Sequence, residues 1–265
     1  MAVITLLTDF GLQDEYVGVL KGVIAGINPA ATVIDLCHGI APQDVVSAAY
    51  ALKAAFAYFP RGTIHVAVVD PEVGSQRDIV AVACDGYIFL APDNGLLGPI
   101  LADASPQSGY RVENENLFRQ PVSRTFHGRD KFAPVAAHLS LGLPLKAVGR
   151  PLAIDGLRML DIGEPRMLSA GTLEGEVVAV DRFGNLITNI RSRHLSALGS
   201  GTLRTLVRGR IISNLAHAYV QDPADELLAI IGSRDCLEIA VNRGSAAELL
   251  HAAQGEIVQV KVDQG

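Results

Sequence analysis

Residues 3–36 read VITLLTDFGLQDEYVGVLKGVIAGINPAATVIDL, and the order of patterns within them decides the fold. The unbroken apolar run over 3–8 predicts a strand buried on both faces. Val17, Leu20, Val23, Ile24 and Ile27 recur at helical spacing over 14–27, and Asn28-Pro29 ends that helix before a second apolar run over 32–36. The alternation then repeats, with a helix of alanine-rich packing face over 43–59 and a third strand over 63–69. A βαβαβ order predicts right-handed crossovers and a largely parallel sheet. In such sheets ligands collect beyond the carboxyl ends of the strands. Asp9, Asp35 and Asp70 each stand at or near such an end. One strand-end aspartate as often simply caps the next turn; three along one edge point more strongly to a site.

The texture changes over 143–168, where Pro144, Pro151 and Pro165 stand among glycines without clean periodicity. An N-terminal α/β domain over 1–150, a linker over 151–168 and a smaller C-terminal β domain over 169–265 are expected. Short β-branched runs at 175–180, 186–190, 203–207, 227–231, 237–241 and 257–262 predict an all-β barrel or sandwich there. With 265 residues, 49% of them hydrophobic and 19% charged, the composition is globular. Twenty-two basic against 28 acidic residues give a net charge of −6, which speaks against nucleic acid or an anionic membrane as partner. Cys37, Cys84 and Cys236 are too scattered for a zinc motif or a disulfide framework, so a cytoplasmic setting is expected. The first residues read as a strand rather than a signal peptide, and no run approaches a membrane span.

Three polar groups are the candidates for chemistry, although a histidine such as His127 taken alone is more often structural. Asp70 and Arg77 flank the stretch Asp70-Pro71-Glu72-Val73-Gly74-Ser75-Gln76-Arg77, between the strand-like run ending at Val69 and another over 79–83. They are expected at one end of the sheet. His127, in Thr125-Phe126-His127-Gly128-Arg129-Asp130, directly precedes a helix-like segment over 131–141 and can approach from a neighbouring loop. An acid, a guanidinium and an imidazole together can make water nucleophilic without a metal. Thr8-Asp9-Phe10-Gly11 shares letters with the kinase magnesium motif but lacks that motif's companions. A carboxylate there can instead bind a vicinal diol. Over 181–189, a turn between two strands carries Phe183 and Asn185, a ring that can cover a base and an amide that can pair with an adenine edge. The same letters also suit a plain hairpin turn. Ser233-Arg234 can clamp a carboxylate or form an exposed turn, and His38 is equally a turn residue. A divalent ion held by Asp9, His38, Asp70 and His127 is a rival reading without a metal-ligand spacing motif behind it.

Taken jointly and in order, these segments resemble one family: Thr8-Asp9-Phe10-Gly11 with Asp14, Asp35 to His38, Asp70 to Gly74 with Arg77, Phe126-His127-Gly128, residues 181–189, and Ser233-Arg234 with Asn242-Arg243-Gly244-Ser245. The family is that of the S-adenosyl-L-methionine (SAM) hydroxide adenosyltransferases, or SAM hydrolases, relatives of the fluorinase and chlorinase enzymes. The resemblance implies a larger α/β domain, a smaller β domain, and a homotrimer with each site between subunits. SAM would be the substrate, hydrolysed to adenosine and methionine by water-derived hydroxide at ribose C5′, with no cofactor and no metal. Asp9 would hold the ribose hydroxyls; Asp14, Asp181 and Ser233 with Arg234 would hold the methionine amino and carboxylate groups. Phe183, Asn185 and Tyr219 would form the adenine pocket, closed by backbone near Arg243. Asp70, Arg77 and His127 match the hydroxide-forming triad, with His127 as base, Asp70 orienting and Arg77 stabilising the hydroxide. The fluorinase has a tyrosine where Asp70 stands, and Gln43 takes the place of its pocket tryptophan, so halide transfer is the disfavoured branch. A non-catalytic SAM- or adenosine-binding sensor is the remaining alternative, and the intact triad argues against it.

Overall fold

The computed structural model describes residues 2–213, 215–219 and 226–263. The chain divides into two compact units, Met1–Leu160 and Asp161–Gly265.

The first unit runs β1 (Val3–Thr8), α1 (Tyr16–Ile27), β2 (Thr32–Cys37), α2 (Val45–Ala55), β3 (Ile64–Val68), β4 (Ile79–Cys84), β5 (Tyr87–Pro92), α3 (Gly98–Leu101), β6 (Pro106–Arg111), α4 (Ala133–Ser140) and β7 (Pro151–Leu152). Its sheet has the order β2-β1-β3-β5-β4-β6-β7. The strands β2, β1, β3 and β5 are mutually parallel, as the βαβαβ reading predicts. β4 runs antiparallel to β5 and β6. The cause is local: Asp85 and Gly86 both take positive φ between the paired Cys84 and Tyr87, making a two-residue hairpin turn.

Helices cover both faces, so the inner parallel strands β1, β3 and β5 are buried along nearly their whole length rather than alternating, while the edge strand β2 is half-exposed. Ile64, Val66 and Val68 of β3 pack on the side of Leu20 and Ile24 of α1 and Val135 and Ala136 of α4. Ala67 and Val69 point the other way, to Ala48 and Leu52 of α2. The α2 start is fixed by Asp44, whose carboxylate accepts the Ser47 N–H at 2.9 Å.

The second unit is a curled antiparallel sheet of β8 (Arg166–Ser169), β9 (Thr172–Val180), β10 (Leu186–Arg191), β11 (Thr202–Val207), β12 (Arg210–Ser213), β13 (Leu227–Ile231), β14 (Cys236–Val241) and β15 (Ile257–Asp263). Its order is β12-β11-β15-β9-β10-β14-β13, with β8 also on β9. Ala216, beyond β12, bridges to Ile230 in β13, so the sheet comes close to a closed barrel. The short helices α5 (Ser192–Ser196) and α6 (Ala246–Leu250) cap its core through Leu195, Ala246 and Leu250.

One buried histidine ties the first unit's stability to pH. His65 of β3 is fully buried, stacks on Phe89 with ring centroids 5.2 Å apart, and touches Phe56, Phe59 and Tyr87. Its Nδ1 meets Thr5 Oγ1 at 2.8 Å, and its Nε2 has no hydrogen-bond partner. Burial lowers its pKa from 6.5 to about 4. The unfolded chain therefore takes up this proton first as the pH falls, and stability present above 6.5 is lost progressively down to 4. At about 1.4 kcal/mol per unit the loss reaches roughly 3 kcal/mol. Urea midpoints at pH 7.5 and 4.5 should fall steeply for the native chain and less steeply for His65→Leu. Equal slopes would show that neutral His65 is not the source.

Candidate active site

The loop after β3 is shaped to bring Asp70 and Arg77 together. Asn94 Nδ2 donates to the Val69 carbonyl at 2.9 Å and Arg77 N donates to Ser75 Oγ at 3.1 Å. Gly74 sits at φ +82°, where a Cβ would collide with the Arg124 carbonyl. Only glycine lets this loop press against the segment that leads to His127. Arg77 Nε then reaches both Asp70 carboxylate oxygens at 2.9 Å, and its Nη2 also donates to Asp70 Oδ2. The same Nη2 lies 3.0 Å from His127 Nδ1. Both side chains of the ion pair are almost wholly buried, with 2% of Arg77 and 4% of Asp70 exposed.

His127 begins a wide helical turn, Gly128–Phe132, in which Ala133 N–H reaches back five residues to the Gly128 carbonyl before α4 continues normally. The turn is held by Asp130, a fully buried carboxylate that accepts from Arg129 Nε at 2.7 Å, Arg129 Nη2 at 2.9 Å and Ser123 N at 2.8 Å. Burial, then the charges of Lys131 and Arg77, lower the His127 pKa from 6.5 to about 4, against the opposing pull of Asp70 and Asp130. The ring is neutral at physiological pH. Because a guanidinium can only donate, Nδ1 must accept from Arg77, which assigns the ring proton to Nε2.

Asp70 and His127 line a cavity of about 700 Å³ that also includes Asp9, Gln43, Phe10, Tyr16 and Phe126. The three rings meet edge to face, with Tyr16 and Phe126 centroids 5.2 Å apart. Asp9 Oδ2 accepts from Gln43 N at 2.8 Å, and Gln43 holds φ +67° to make that contact. Asp14 is exposed on the turn before α1 and is not part of the cavity wall, and Arg77 sits behind Asp70. The rival metal set does not converge. Asp70 and His127 are both taken by Arg77, while His38 turns to Thr8 and Asp35. Among the described residues no group of three or more His, Cys, Asp or Glu side chains is placed to hold an ion.

In the second unit the other candidates fall on three turns, at 181–185, 233–234 and 243, with Tyr219 on the segment beyond β12. Asp181 Oδ1 accepts from Phe183 N at 2.8 Å and Asn185 N at 2.9 Å, and its Oδ2 accepts Asn185 Nδ2 at 2.9 Å. That turn leaves Phe183 77% exposed, a large apolar ring without a cover in its own unit. Gly184, at φ +82°, lies so close to Ser245 that a Cβ would strike its hydroxyl. Ser233, Arg234 and Arg243 are exposed. Tyr219 donates its hydroxyl to Glu238 Oε2 at 2.7 Å, and its pKa is pushed up to about 12 by burial and by Glu238, with Asp181 adding and Arg234 opposing. Those four charged and phenolic groups thus share one neighbourhood.

The SAM hydroxide adenosyltransferase N-terminal domain matches residues 4–149, and the C-terminal domain of the same family matches residues 175–259. The chain belongs to the SAM hydroxide adenosyltransferase family. Relatives include the (R)-S-adenosyl-L-methionine hydrolase of Thermus thermophilus, 40% identical over 98% of this chain and 100% of its own length. The hydrolase of the same name from Salinispora tropica is 37% identical, with 97% of each chain covered. A fluorinase from Nocardia brasiliensis is 30% identical over 98% of this chain and 97% of its own. A crystal structure of a conserved protein from Thermotoga maritima superimposes with a TM-score of 0.91 at 38% identity, covering 97% of this chain and 99% of that one.

For a family member, two side-chain groups stand out that the sequence reading passed over. Glu238 is only 4% exposed, on a strand that is otherwise apolar, and a Cβ at Gly232 would collide with its carboxylate. A lone acid in an apolar strand is the signal that could have found it, since buried carboxylates need partners. Phe10, Tyr16 and Phe126 left no spacing signal, because they meet only once two loops and a helix start are assembled.

Proposed function

We propose that this chain hydrolyses SAM to adenosine and methionine, with hydroxide attacking the ribose C5′. The observation that carries the reading is the buried Asp70–Arg77–His127 cluster, which opens through His127 and Asp70 onto a cavity that also holds Asp9. As the C5′–O bond forms, the C5′–S bond breaks and its electron pair stays on sulfur. Methionine leaves as a neutral thioether and needs no general acid. The whole burden falls on the nucleophile.

The Arg77 contact at Nδ1 changes the expected part of His127. With the ring proton on Nε2, His127 serves the nucleophile as a neutral N–H donor rather than as its base. The water proton is lost to solvent before attack. Arg77 and Lys131 supply a positive field beside the ring, and the substrate's own sulfonium adds to it, so hydroxide is favoured only once SAM is seated. Asp70 locks the guanidinium in place. Asp9 holds the ribose diol, and the Phe10–Tyr16–Phe126 wall suits a sulfonium cation. Asp14, Asp181, Ser233 and Arg234 take the amino-acid end, and Phe183, Asn185 and Tyr219 with backbone near Arg243 take the adenine. A homotrimer in the cytoplasm, with each pocket shared by neighbouring subunits, accounts for the exposed Phe183. No cofactor enters this scheme.

The test is incubation with each sulfonium epimer of SAM in oxygen-18 water, followed by chromatography and mass spectrometry. Adenosine labelled at the 5′-oxygen, with methionine, is expected, and faster from the (R) epimer for which the relatives are named. Unchanged SAM would leave a binding protein. A halogenated nucleoside formed only with added halide would place the chain with the fluorinases.

A further inference from the structure

A second polar cluster of the first unit lies outside the hydroxide-forming group. β2 carries a bulge beside the end of β1: Leu6 pairs with Asp35 but Leu7 pairs with Cys37, so Leu36 is extra. The bulge bends the chain back over the end of β1. His38, 5% exposed, then places Nδ1 at 2.8 Å from Thr8 Oγ1 and Nε2 at 3.0 Å from Asp35 Oδ1. The Nε2 approach to the carboxylate is close but poorly aligned for a hydrogen bond. Lys21 Nζ holds the other Asp35 oxygen at 2.6 Å. Burial raises the Asp35 pKa, but the contacts with Lys21 and His38 outweigh it and keep the carboxyl below its ordinary value.

The proton order follows from this arrangement. An ionised Asp35 facing Nε2 requires a proton on Nε2, so in the neutral ring Nδ1 is an acceptor. Thr8 donates its hydroxyl proton to Nδ1, and its oxygen accepts the Phe10 N–H at 3.2 Å. The series therefore runs Phe10 N–H to Thr8 to His38 to Asp35, and each link polarises the next. It begins at the peptide that joins Asp9 to Phe10. The same stretch grips that turn twice more, through Gly11 N to the His38 carbonyl at 2.8 Å and Gln43 N to Asp9 Oδ2 at 2.8 Å. Asp9 is left with one oxygen, Oδ1, that no group among the described residues occupies.

We propose that His38 is a positioning residue that, through Thr8, sets the direction of the Asp9 carboxylate and so the grip on the nucleoside diol. This rests on the reading above that Asp9 receives the ribose hydroxyls. It separates two duties within one cavity: the Asp70 cluster governs the nucleophile, and the His38 relay governs how tightly the sugar is held.

The experiment compares calorimetric binding of adenosine and 2′,3′-dideoxyadenosine to the native protein, Thr8→Val, Thr8→Ser and His38→Ala, alongside SAM turnover. Thr8→Val keeps the shape and loses the hydroxyl; Thr8→Ser keeps the hydroxyl. Thr8→Val and His38→Ala should each weaken adenosine about tenfold, as expected for one mis-set polar contact. Thr8→Ser should bind nearly as the native chain does, and the dideoxynucleoside should bind all four proteins alike. KM for SAM should rise with the adenosine Kd while kcat stays within about twofold. Equal weakening of both nucleosides, or unchanged adenosine binding by Thr8→Val, overturns the inference. A native protein that binds both nucleosides equally, or neither, also overturns it. Diol-dependent adenosine binding without SAM turnover would overturn the hydrolase reading and leave this one standing.

Discussion

Replacing His127 by alanine is expected to lower kcat with SAM about a hundredfold to a thousandfold, the loss typical when one preorganised donor to a developing or reacting oxyanion is removed. The informative comparison is His127→Gln. Glutamine offers a neutral N–H near the Nε2 position and carries no basic lone pair, so it should recover at least about tenfold over alanine if the ring serves as a donor. Equal losses in the two variants would restore the base assignment. The pH profile gives a second reading. With the ring neutral down to about 4, kcat/KM should show no limb near 6.5 and should climb with pH as hydroxide becomes available. Stopped assays across pH 5–9 with the native chain would reveal a limb at 6.5 if the ring titrated normally.

Arg77→Met should be damaging twice over. It leaves the Asp70 carboxylate 4% exposed without its bidentate partner, a change that costs about 3–5 kcal/mol when one member of a buried pair is removed. It also removes the donor that fixes the His127 tautomer, so SAM turnover should fall to background. The double variant Asp70→Leu/Arg77→Met separates these effects. Removing both charges should recover most of the stability by urea titration, since a buried pair often gives way to apolar residues at little cost, while turnover stays lost. Recovered turnover in the double variant would mean that the pair is structural and that the nucleophile is prepared elsewhere.

The architecture was legible where local pattern and tertiary surroundings agree. The apolar runs of β1 and β3 are buried on both faces, the edge strand β2 is half-exposed, and helical spacing with Asn28-Pro29 marks α1 to its last turn. The β4–β5 hairpin was legible too, in Asp85-Gly86 between apolar runs, and was passed over in favour of the parallel repeat. At the site, Gly74 and Pro71 betrayed the loop that joins Asp70 to Arg77. The turn over 181–185 is formed as its hairpin reading expects, with Asp181 and Asn185 bonding each other and Phe183 left exposed. What stayed hidden depends on register. The His38 contact exists because β2 carries one residue more than β1 at Leu36, and nothing in a single strand's pattern announces an offset between two.

The wide turn at Gly128–Phe132 has a consequence for how this site tolerates change in chain length. A five-residue reach inside a four-residue helix amounts to one surplus residue, and each residue of an α-helix advances by about 100°. Deleting a single residue here would let α4 close into a regular helix, with its packed Val135, Ala136 and Leu139 left where they are. Everything upstream of the deletion would then be out of phase by that same rotation. The imidazole would swing away from Arg77, and the fold would survive with its chemistry aimed elsewhere.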